Sequence, residues 1–251
     1  MLLDGKTAVI YGGGGSIGRA VAAAFAREGA HVFLTGRTQA PLDDAAEALR
    51  ADGGEVDTAV VDALDEGAVD AHAADVVART GRLDVSVNVI GVNDVQGTPL
   101  AEMTVDDFLS PIATATRTQF LTTRAAARQM ITQGSGVILF FGGSGDPVRD
   151  YSIGGFQIAL QAIEALRRQL ASELGKFGIR AVSLRTGGIG EAIPADFPAR
   201  DEIMTLIADP TLLGRTATLA DVGSVAAFVA SDQAASITGA AINISCGAMF
   251  D

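Results

Sequence analysis

Few side chains of this protein can exchange a proton near neutral pH. The sequence of 251 residues holds two tyrosines, two lysines, two histidines and one cysteine: Tyr11, Tyr151, Lys6, Lys176, His31, His72 and Cys246. Tyr151 and Ser144 share segment 142–161, GGSGDPVRDYSIGGFQIALQ, which joins an apolar stretch to a helical pattern. Because a phenol or a hydroxyl can protonate or polarise a substrate oxygen, Tyr151 and Ser144 are our candidate catalytic residues. For Tyr151, a place in a pocket wall or in a subunit contact is the simpler interpretation.

Other polar residues lie near this segment or are expected at the mouth of the same pocket. The first group shares the loop, where a solvated position is the simpler interpretation: Asp146, Arg149 and Asp150. In the second group, Asn93 and Asp94 are expected at the pocket mouth, while Thr114 and Thr116 flank Ala115 on a predicted helix. We interpret His31, His72 and Cys246 as structural, with His72 far from the pocket and Cys246 late in the last strand. We predict no metal site.

A glycine-rich turn, YGGGGSIGRA (11–20), follows the first predicted strand and opens the first predicted helix. Glycines let the backbone approach a pyrophosphate, whose charge the N-terminus of a helix favours. Ser16 within this turn could cap the helix and still face a phosphate. The turn therefore predicts a phosphate-binding loop.

Apolar runs alternate with helical patterns along the chain. Strands are predicted at 7–12, 31–35, 57–62, 83–91, 136–141, 179–184 and 240–245. Helices are predicted at 17–28, 41–51, 65–79, about 105–133 and 156–175. Apolar strands that alternate with helices form parallel sheets covered on both faces. We predict one α/β domain over 1–251, with a doubly wound parallel sheet of about seven strands in three α/β/α layers.

Segment 188–215 interrupts this alternation of strands and helices and contains Pro194, Pro198 and Pro210. It follows the carboxyl end of a strand, at the edge where open α/β sheets bind ligands. Loops of this length usually carry function, so we predict a substrate lid here. An ordinary surface insertion is the alternative.

The composition limits the classes of molecule that this protein is expected to bind. The formal net charge is −12, whereas nucleic acids and anionic membranes require a basic surface. The start of the chain lacks the pattern of a signal peptide, and no apolar run reaches about 18 residues. We therefore expect a cytoplasmic protein that acts on a small molecule, with neither nucleic acid nor membrane as partner.

These motifs resemble those of the short-chain dehydrogenases/reductases over nearly the whole chain. The family has T-G-x-x-x-G-x-G where this chain has Gly12 to Gly18, and Ser16 replaces the middle glycine as in the enoyl-reductase branch. LDVSVNVIG (83–91) is similar to its L-D-x-L-V-N-N-A-G, and residues from about 217 onward match its closing helix and strand. The resemblance implies a Rossmann-type fold. It also implies a nicotinamide cofactor bound by Gly12, Gly14, Ser16, Ile17, Gly18, Arg37, Thr38, Asp62, Ala63, Asn88, Gly91, Gly187 and Ile189.

The end of the second strand indicates which nicotinamide cofactor is bound. An acidic residue there would accept the ribose hydroxyls of NAD. This chain instead has Gly36 followed by Arg37 and Thr38. A guanidinium suits a 2′-phosphate, so we predict NADP(H) in preference to NAD(H).

The catalytic asparagine, serine, tyrosine and lysine of the family are all replaced. The register places these four positions at Ala115, Gly143, Phe156 and Leu160. Lys6 precedes the first strand and Lys176 follows the helix, so neither can take the place of the lysine. Without a nearby cation a tyrosine keeps a pKa near 10, and only about one in a thousand is ionised at pH 7.

We therefore expect an NADP(H)-dependent oxidoreductase with a non-standard active site, acting on an unknown small carbonyl, enone or alcohol. Two alternatives stay open. One is a catalytically silent NADP(H)-binding protein that serves as a sensor or partner subunit, and the other is a lyase or isomerase on the same fold. Relatives assemble through the helices corresponding to 105–133 and 156–175, so the resemblance implies a homotetramer.

Overall fold

The protein is built around a seven-stranded sheet, seen in a computed structural model that describes residues 1–147, 151–197 and 200–250. The strands are β1 (Thr7–Tyr11), β2 (His31–Gly36), β3 (Val56–Val60), β4 (Val85–Asn88), β5 (Gly136–Gly142), β6 (Ile179–Arg185) and β7 (Ala241–Asn243). They pair in parallel in the order β3-β2-β1-β4-β5-β6-β7. The order changes direction between β1 and β4, which opens a crevice at the carboxyl ends of these strands. The predicted Rossmann-type sheet is confirmed.

Helices cover both faces of the sheet. They are α1 (Ser16–Arg27), α2 (Gln39–Ala51), α3 (Glu66–Thr80), α4 (Val105–Gln133), α5 (Gly154–Leu174), α6 (Arg200–Ala208) and α7 (Leu219–Ala230). One core packs α1, α2 and α7 against the sheet, and the other packs α3, α4 and α5 against the opposite face. This arrangement buries strands on both sides and explains their continuous apolar character.

Helix α4 begins and ends where the sequence predicts. The Thr104 hydroxyl accepts the N–H of Asp107 at 3.1 Å and so caps the first turn. At the other end Gly134 adopts a φ of 78°, which a residue with a side chain rarely adopts. The cap and the glycine together fix a helix long enough to line the crevice and continue down the sheet.

Two strands, β4 and β7, are much shorter than predicted. β4 ends at Asn88 instead of residue 91, because the Asn88 side chain accepts the N–H of Ile90 at 3.0 Å and turns the chain out of the sheet. β7 ends at Asn243, whose side chain accepts the N–H of Ser245 at 3.1 Å. Cys246 therefore lies beyond the last strand instead of late within it, and its φ is 55°.

Segment 188–215 contains α6 and a short 3-10 turn, Gly190–Ala192. Ile207 and Met204 of α6 lie against Gly188 and Gly190. The N–H of Leu213 donates to the carbonyl of Cys246 at 3.1 Å. Pro198 lies outside the described residues, and the lid function remains a prediction. None of the helices in the described part of the chain is both long and apolar enough to cross a bilayer.

Candidate functional site

A cavity of about 420 Å³ opens at the carboxyl ends of β1 to β4, beside α4. Many of the predicted cofactor residues line it: Gly12, Gly14, Arg37, Thr38, Asp62, Ala63 and Gly91. Asn93, expected at the pocket mouth, and Thr114, which flanks Ala115, also line it. Other lining residues were not predicted, among them Tyr11, Pro41, Ser110 and Thr118. The strand order therefore assembles residues far apart in the chain into one crevice that suits the adenosine half of a dinucleotide.

The glycine loop holds its shape through its backbone. The N–H groups of Gly12 and Gly13 donate to the carbonyl of Thr35 at 3.0 and 2.9 Å. Gly12 has a φ of 86°, and a Cβ added there would lie 2.9 Å from the carbonyl oxygen of Val89. A Cβ on Gly18 would overlap the carbonyl oxygen of Gly12. Both glycines are therefore required for the loop to pass close to its neighbours.

Ser16 does not cap α1, contrary to one interpretation of the sequence. The helix begins at Ser16, its N-cap residue is Gly15, and no side chain accepts a hydrogen bond from its first turn. Ser16 is exposed at this end. Backbone N–H groups at such a helix end favour an anion, so the loop fits the pyrophosphate of a dinucleotide.

The end of β2 presents one cation to the cavity. The Arg37 side chain is exposed, and within the described residues it forms no ion pair. The neighbouring Arg19 is already engaged, since it donates to the carbonyls of Gly14 at 2.9 Å and Pro41 at 2.8 Å. Arg19 thus joins the glycine loop to the start of α2, while Arg37 remains available to a phosphate.

The remaining predicted cofactor residues lie outside the cavity lining. Asn88 is buried, and its amide donates to the Thr122 hydroxyl at 3.0 Å, so it shapes the turn after β4. Ile17 packs against the core below the loop. Gly187 and Ile189 follow β6, and a Cβ on Gly187 would lie 3.0 Å from the Cβ of Ala248. The predicted cofactor residues that follow β1, β2, β3 and β4 therefore largely converge on the cavity, whereas Gly187 and Ile189 lie farther along the sheet edge, after β6.

An apolar side chain fills the space at the end of β5. A Cβ on Gly142 would lie 2.8 Å from Leu160 Cδ2, and one on Gly143 would lie 3.5 Å from Leu160 Cδ1. Leu160 is buried, and Phe156, one turn earlier on α5, is half-buried. Ala115 of α4 is also buried, and its carbonyl accepts the Thr118 hydroxyl at 3.2 Å.

Ser144 and Tyr151 lie in the loop between β5 and α5, and neither lines the cavity. The Ser144 hydroxyl accepts the N–H of Asp146 at 3.0 Å, so it is engaged in a local turn. Tyr151 is 41% exposed and lies beside Gly97 of the loop that follows β4. The N–H of Gly97 donates to the carbonyl of Ser152 at 2.7 Å, which holds the two loops together.

The other polar candidates near this loop have local roles or stay exposed. Asp146 is exposed. Asp94 accepts the Gln96 amide at 2.6 Å, and the Thr116 hydroxyl donates to the carbonyl of Ile112 at 2.6 Å. Arg149 and Asp150 lie outside the described residues.

The two histidines differ in their surroundings. His31 contacts Asp57 at 2.7 Å and stacks on Phe33, which agrees with a structural role. His72 is buried on α3 with its ring centroid 6.4 Å from that of Tyr11, which lines the cavity. His72 is therefore closer to the cavity than the sequence suggests, because α3 packs over β1. In residues 1–147, 151–197 and 200–250 no three His, Cys, Asp or Glu side chains group as metal ligands.

A buried charge cluster lies one turn beyond Leu160 on α5. Glu164 accepts hydrogen bonds from Arg167, whose Nη2 lies 3.0 Å away, and from Arg185 of β6. Glu164 and Arg167 are 3% and 4% exposed. Burial would raise the pKa of Glu164, but the hydrogen bond from Arg185 and the charge of Arg167 outweigh it and lower that pKa. The sequence pattern does not reveal this cluster, since Arg185 lies 21 residues from Glu164 and only packing joins them.

A sequence profile described as enoyl-(acyl carrier protein) reductase matches residues 13–249. A Mycobacterium tuberculosis protein, (5R,7aS)-5-hydroxy-7a-methyl-1-oxo-2,3,5,6,7,7a-hexahydro-1H-indene-carboxyl-CoA reductase, is 32% identical over 98% of this chain and 94% of its own length. The chain belongs to the short-chain dehydrogenase/reductase family. It is thus an oxidoreductase by family, as the resemblance implies.

Further members of this family match over nearly the full length. Galactitol 2-dehydrogenase of Rhizobium johnstonii is 30% identical over 98% of this chain and 95% of its own. A gluconate 5-dehydrogenase of Burkholderia cenocepacia, solved in complex with NADP and tartrate, superposes with a TM-score of 0.87 at 26% identity. That match covers 98% of this chain and 96% of the other, so no large part of the family fold is missing or added.

Proposed function

We propose that this family member is an NADP(H)-dependent oxidoreductase of a small carbonyl, enone or alcohol. The observation that carries the proposal is the cavity itself, which joins the glycine loop to Arg37 with no carboxylate at the end of β2. A 2′-phosphate would gain a charge-assisted hydrogen bond from Arg37. Relatives named as galactitol and gluconate dehydrogenases, and as a carboxyl-CoA reductase, support hydride chemistry on an alcohol or carbonyl.

Residues of this chain would bind the cofactor and supply the proton. The glycine loop and the N-terminus of α1 would hold the pyrophosphate, while Asp62 and Ala63 would border the adenine. A bound nicotinamide would supply or accept the hydride. Tyr151 would give a proton to the substrate oxygen and recover one from solvent, to which it is 41% exposed. A substrate activated by conjugation would suit this site, because it needs less help from an acid.

Replacing Arg37 by alanine should weaken NADPH binding about 10–100-fold, the value of one hydrogen bond between charged groups. NADH, which lacks the 2′-phosphate, should change less than about 2-fold. Calorimetric titration of both nucleotides at one salt concentration measures the effect. Arg168→Ala removes the same charge from an exposed position on α5 and serves as the control. Equal losses for NADPH and NADH would contradict the assignment of Arg37.

Replacing Tyr151 by phenylalanine should reduce turnover about 100-fold or more while NADPH affinity is unchanged. The expected size is that of a positioned general acid. The measurement is NADPH oxidation with a panel of ketones, enones and imines, after the wild type has identified a substrate. Unchanged turnover in the variant would assign the proton to water or to another group, such as Ser144.

One observation favours a catalytically silent NADP(H)-binding protein as the second candidate. Leu160 packs against Gly142 and Gly143, where the family places its lysine beside its serine. Tight NADPH binding without oxidation by any compound of the panel would favour this candidate. Turnover with no nicotinamide nucleotide bound would instead point to a lyase or isomerase.

A further inference from the structure

Tyr11 lies at the carboxyl end of β1, an interior strand of the sheet. Its neighbours in the sheet are Thr35 of β2 and Asn88 of β4. Its side chain belongs to the core on the α3 and α4 face, and the residue is only 2% exposed. Tyr11 nevertheless lines the nucleotide cavity. The threonine found here in the family's motif has a much shorter side chain.

The ring of Tyr11 is held by apolar and edge contacts. The His72 ring meets it edge-on, with 6.4 Å between centroids and an interplanar angle of 74°. Burial lowers the pKa of His72, so this neighbour is uncharged. Neither ring nitrogen of His72 has a hydrogen-bond partner among the described residues, so His72 packs against Tyr11 without pairing with it.

Within the described part of the chain no hydrogen bond acts on the Tyr11 hydroxyl, which is influenced only by burial and by the charge of Asp70. Tyr11 lines the cavity, which is the space from which a ligand acceptor could reach this hydroxyl. Burial and the nearby charge of Asp70 raise the pKa of Tyr11, which keeps the phenol protonated and a donor. A buried donor without a hydrogen-bond partner lowers the equilibrium constant of folding about 10-fold or more. A ligand that supplies an acceptor would recover this loss on binding.

We propose that the Tyr11 hydroxyl is a specificity determinant that donates a hydrogen bond to a ring nitrogen of the bound adenine. The base is the part of the dinucleotide expected here, because Asp62, Ala63 and Leu64 line the same cavity and the family resemblance places the adenine at Asp62. Adenine ring nitrogens are acceptors and match an uncharged donor. The phosphates are expected at the glycine loop and at Arg37. This inference rests on the proposed nucleotide-binding function.

The test uses the full-length protein and two ligands that share the adenine, NADPH and 2′,5′-ADP. Tyr11→Phe should weaken the binding of both ligands about 3–10-fold, by the same factor. Tyr151→Phe removes the other tyrosine hydroxyl of the chain and should leave 2′,5′-ADP affinity unchanged. Thermal unfolding of the unliganded Tyr11→Phe variant should match or exceed that of the wild type, since an unpaired polar group is removed.

A spectroscopic readout separates contact from indirect effects. With only two tyrosines, protein labelled with 3-fluorotyrosine gives two ¹⁹F resonances, which Tyr151→Phe assigns. Adding 2′,5′-ADP should shift the Tyr11 resonance. If the wild type binds 2′,5′-ADP but Tyr11→Phe binds it equally well, this inference is wrong and the proposed function stands. If the wild type binds neither nucleotide, the proposed function fails and takes this inference with it.

Discussion

Replacing Gly155 by alanine should lower the free energy of unfolding by about 3 kcal/mol or more, because it forces two long helices apart. Gly155 lies in the first turn of α5, where a Cβ would overlap the carbonyl oxygen of Phe108 and lie 3.1 Å from Pro111 Cγ. Both contacts belong to α4, and a backbone carbonyl cannot rotate away as a side chain can. Urea unfolding followed by circular dichroism measures the change.

Gly175→Ala is the matched control for this substitution. Gly175 follows the same helix with helical dihedral angles, φ −55° and ψ −36°, and a Cβ there meets nothing within 4 Å. Alanine at 175 should therefore be neutral or stabilise by about 0.5 kcal/mol through the unfolded chain. Equal unfolding free energies for Gly155→Ala and Gly175→Ala would contradict the close crossing of α4 and α5.

Replacing Glu164 by leucine should cost about 3–5 kcal/mol of unfolding free energy, since two guanidinium groups lose their buried counter-charge. Arg167 is 4% exposed and its Nη1 already lacks a partner within the described residues, so it cannot turn to water. Glu173→Gln, an exposed carboxylate on the same helix, is the control and should change stability by less than about 0.5 kcal/mol. A Glu164→Leu protein as stable as the control would show that the cluster contributes nothing.

The contribution of Glu164 should also depend on pH in a defined direction. Its pKa in the folded protein is lowered from an ordinary value of 4.5. The stability it supplies is therefore complete above about pH 4.5 and is lost as the pH falls through the lowered pKa. The difference in unfolding free energy between wild type and Glu164→Leu should stay constant near neutral pH and narrow in acid.

The charge cluster lies next to the position that the family resemblance assigns to the catalytic lysine. Leu160 and Glu164 lie on one face of α5, four residues apart, and Arg185 of β6 reaches the same face. At the position predicted for the lysine the chain thus has the apolar Leu160, with the carboxylate of Glu164 and its two arginines one helical turn farther along. The Leu160 side chain packs against Gly142 and Gly143 and so fills the space between α5 and the end of β5.

The spacing of the apolar residues and the positions of the glycines were sufficient to predict the fold from the sequence alone. Parallel strands covered on both faces must be apolar throughout, so TAVIY and GVILFF could be placed without a structure. The family resemblance of the glycine turn and of the segments after it implied several residues that do line the cavity, such as Gly12, Arg37 and Asp62, but also Gly18, which does not. Strand ends were less predictable, because the turns after β4 and β7 depend on hydrogen bonds from the Asn88 and Asn243 side chains.

Tertiary packing decided the features that local sequence cannot encode. Tyr11 fits the pattern of an ordinary strand residue, and only the packing of α3 and α4 against the sheet places it beside His72 and at the cavity. Glu164 and Arg185 are 21 residues apart, and their pairing follows from α5 packing on β6. The sequence pattern of a helix or strand indicates which of its faces is buried. Whether two elements make a particular side-chain contact depends instead on how closely they approach each other. Here that approach is set by residues without bulk, such as Gly155 and Gly142.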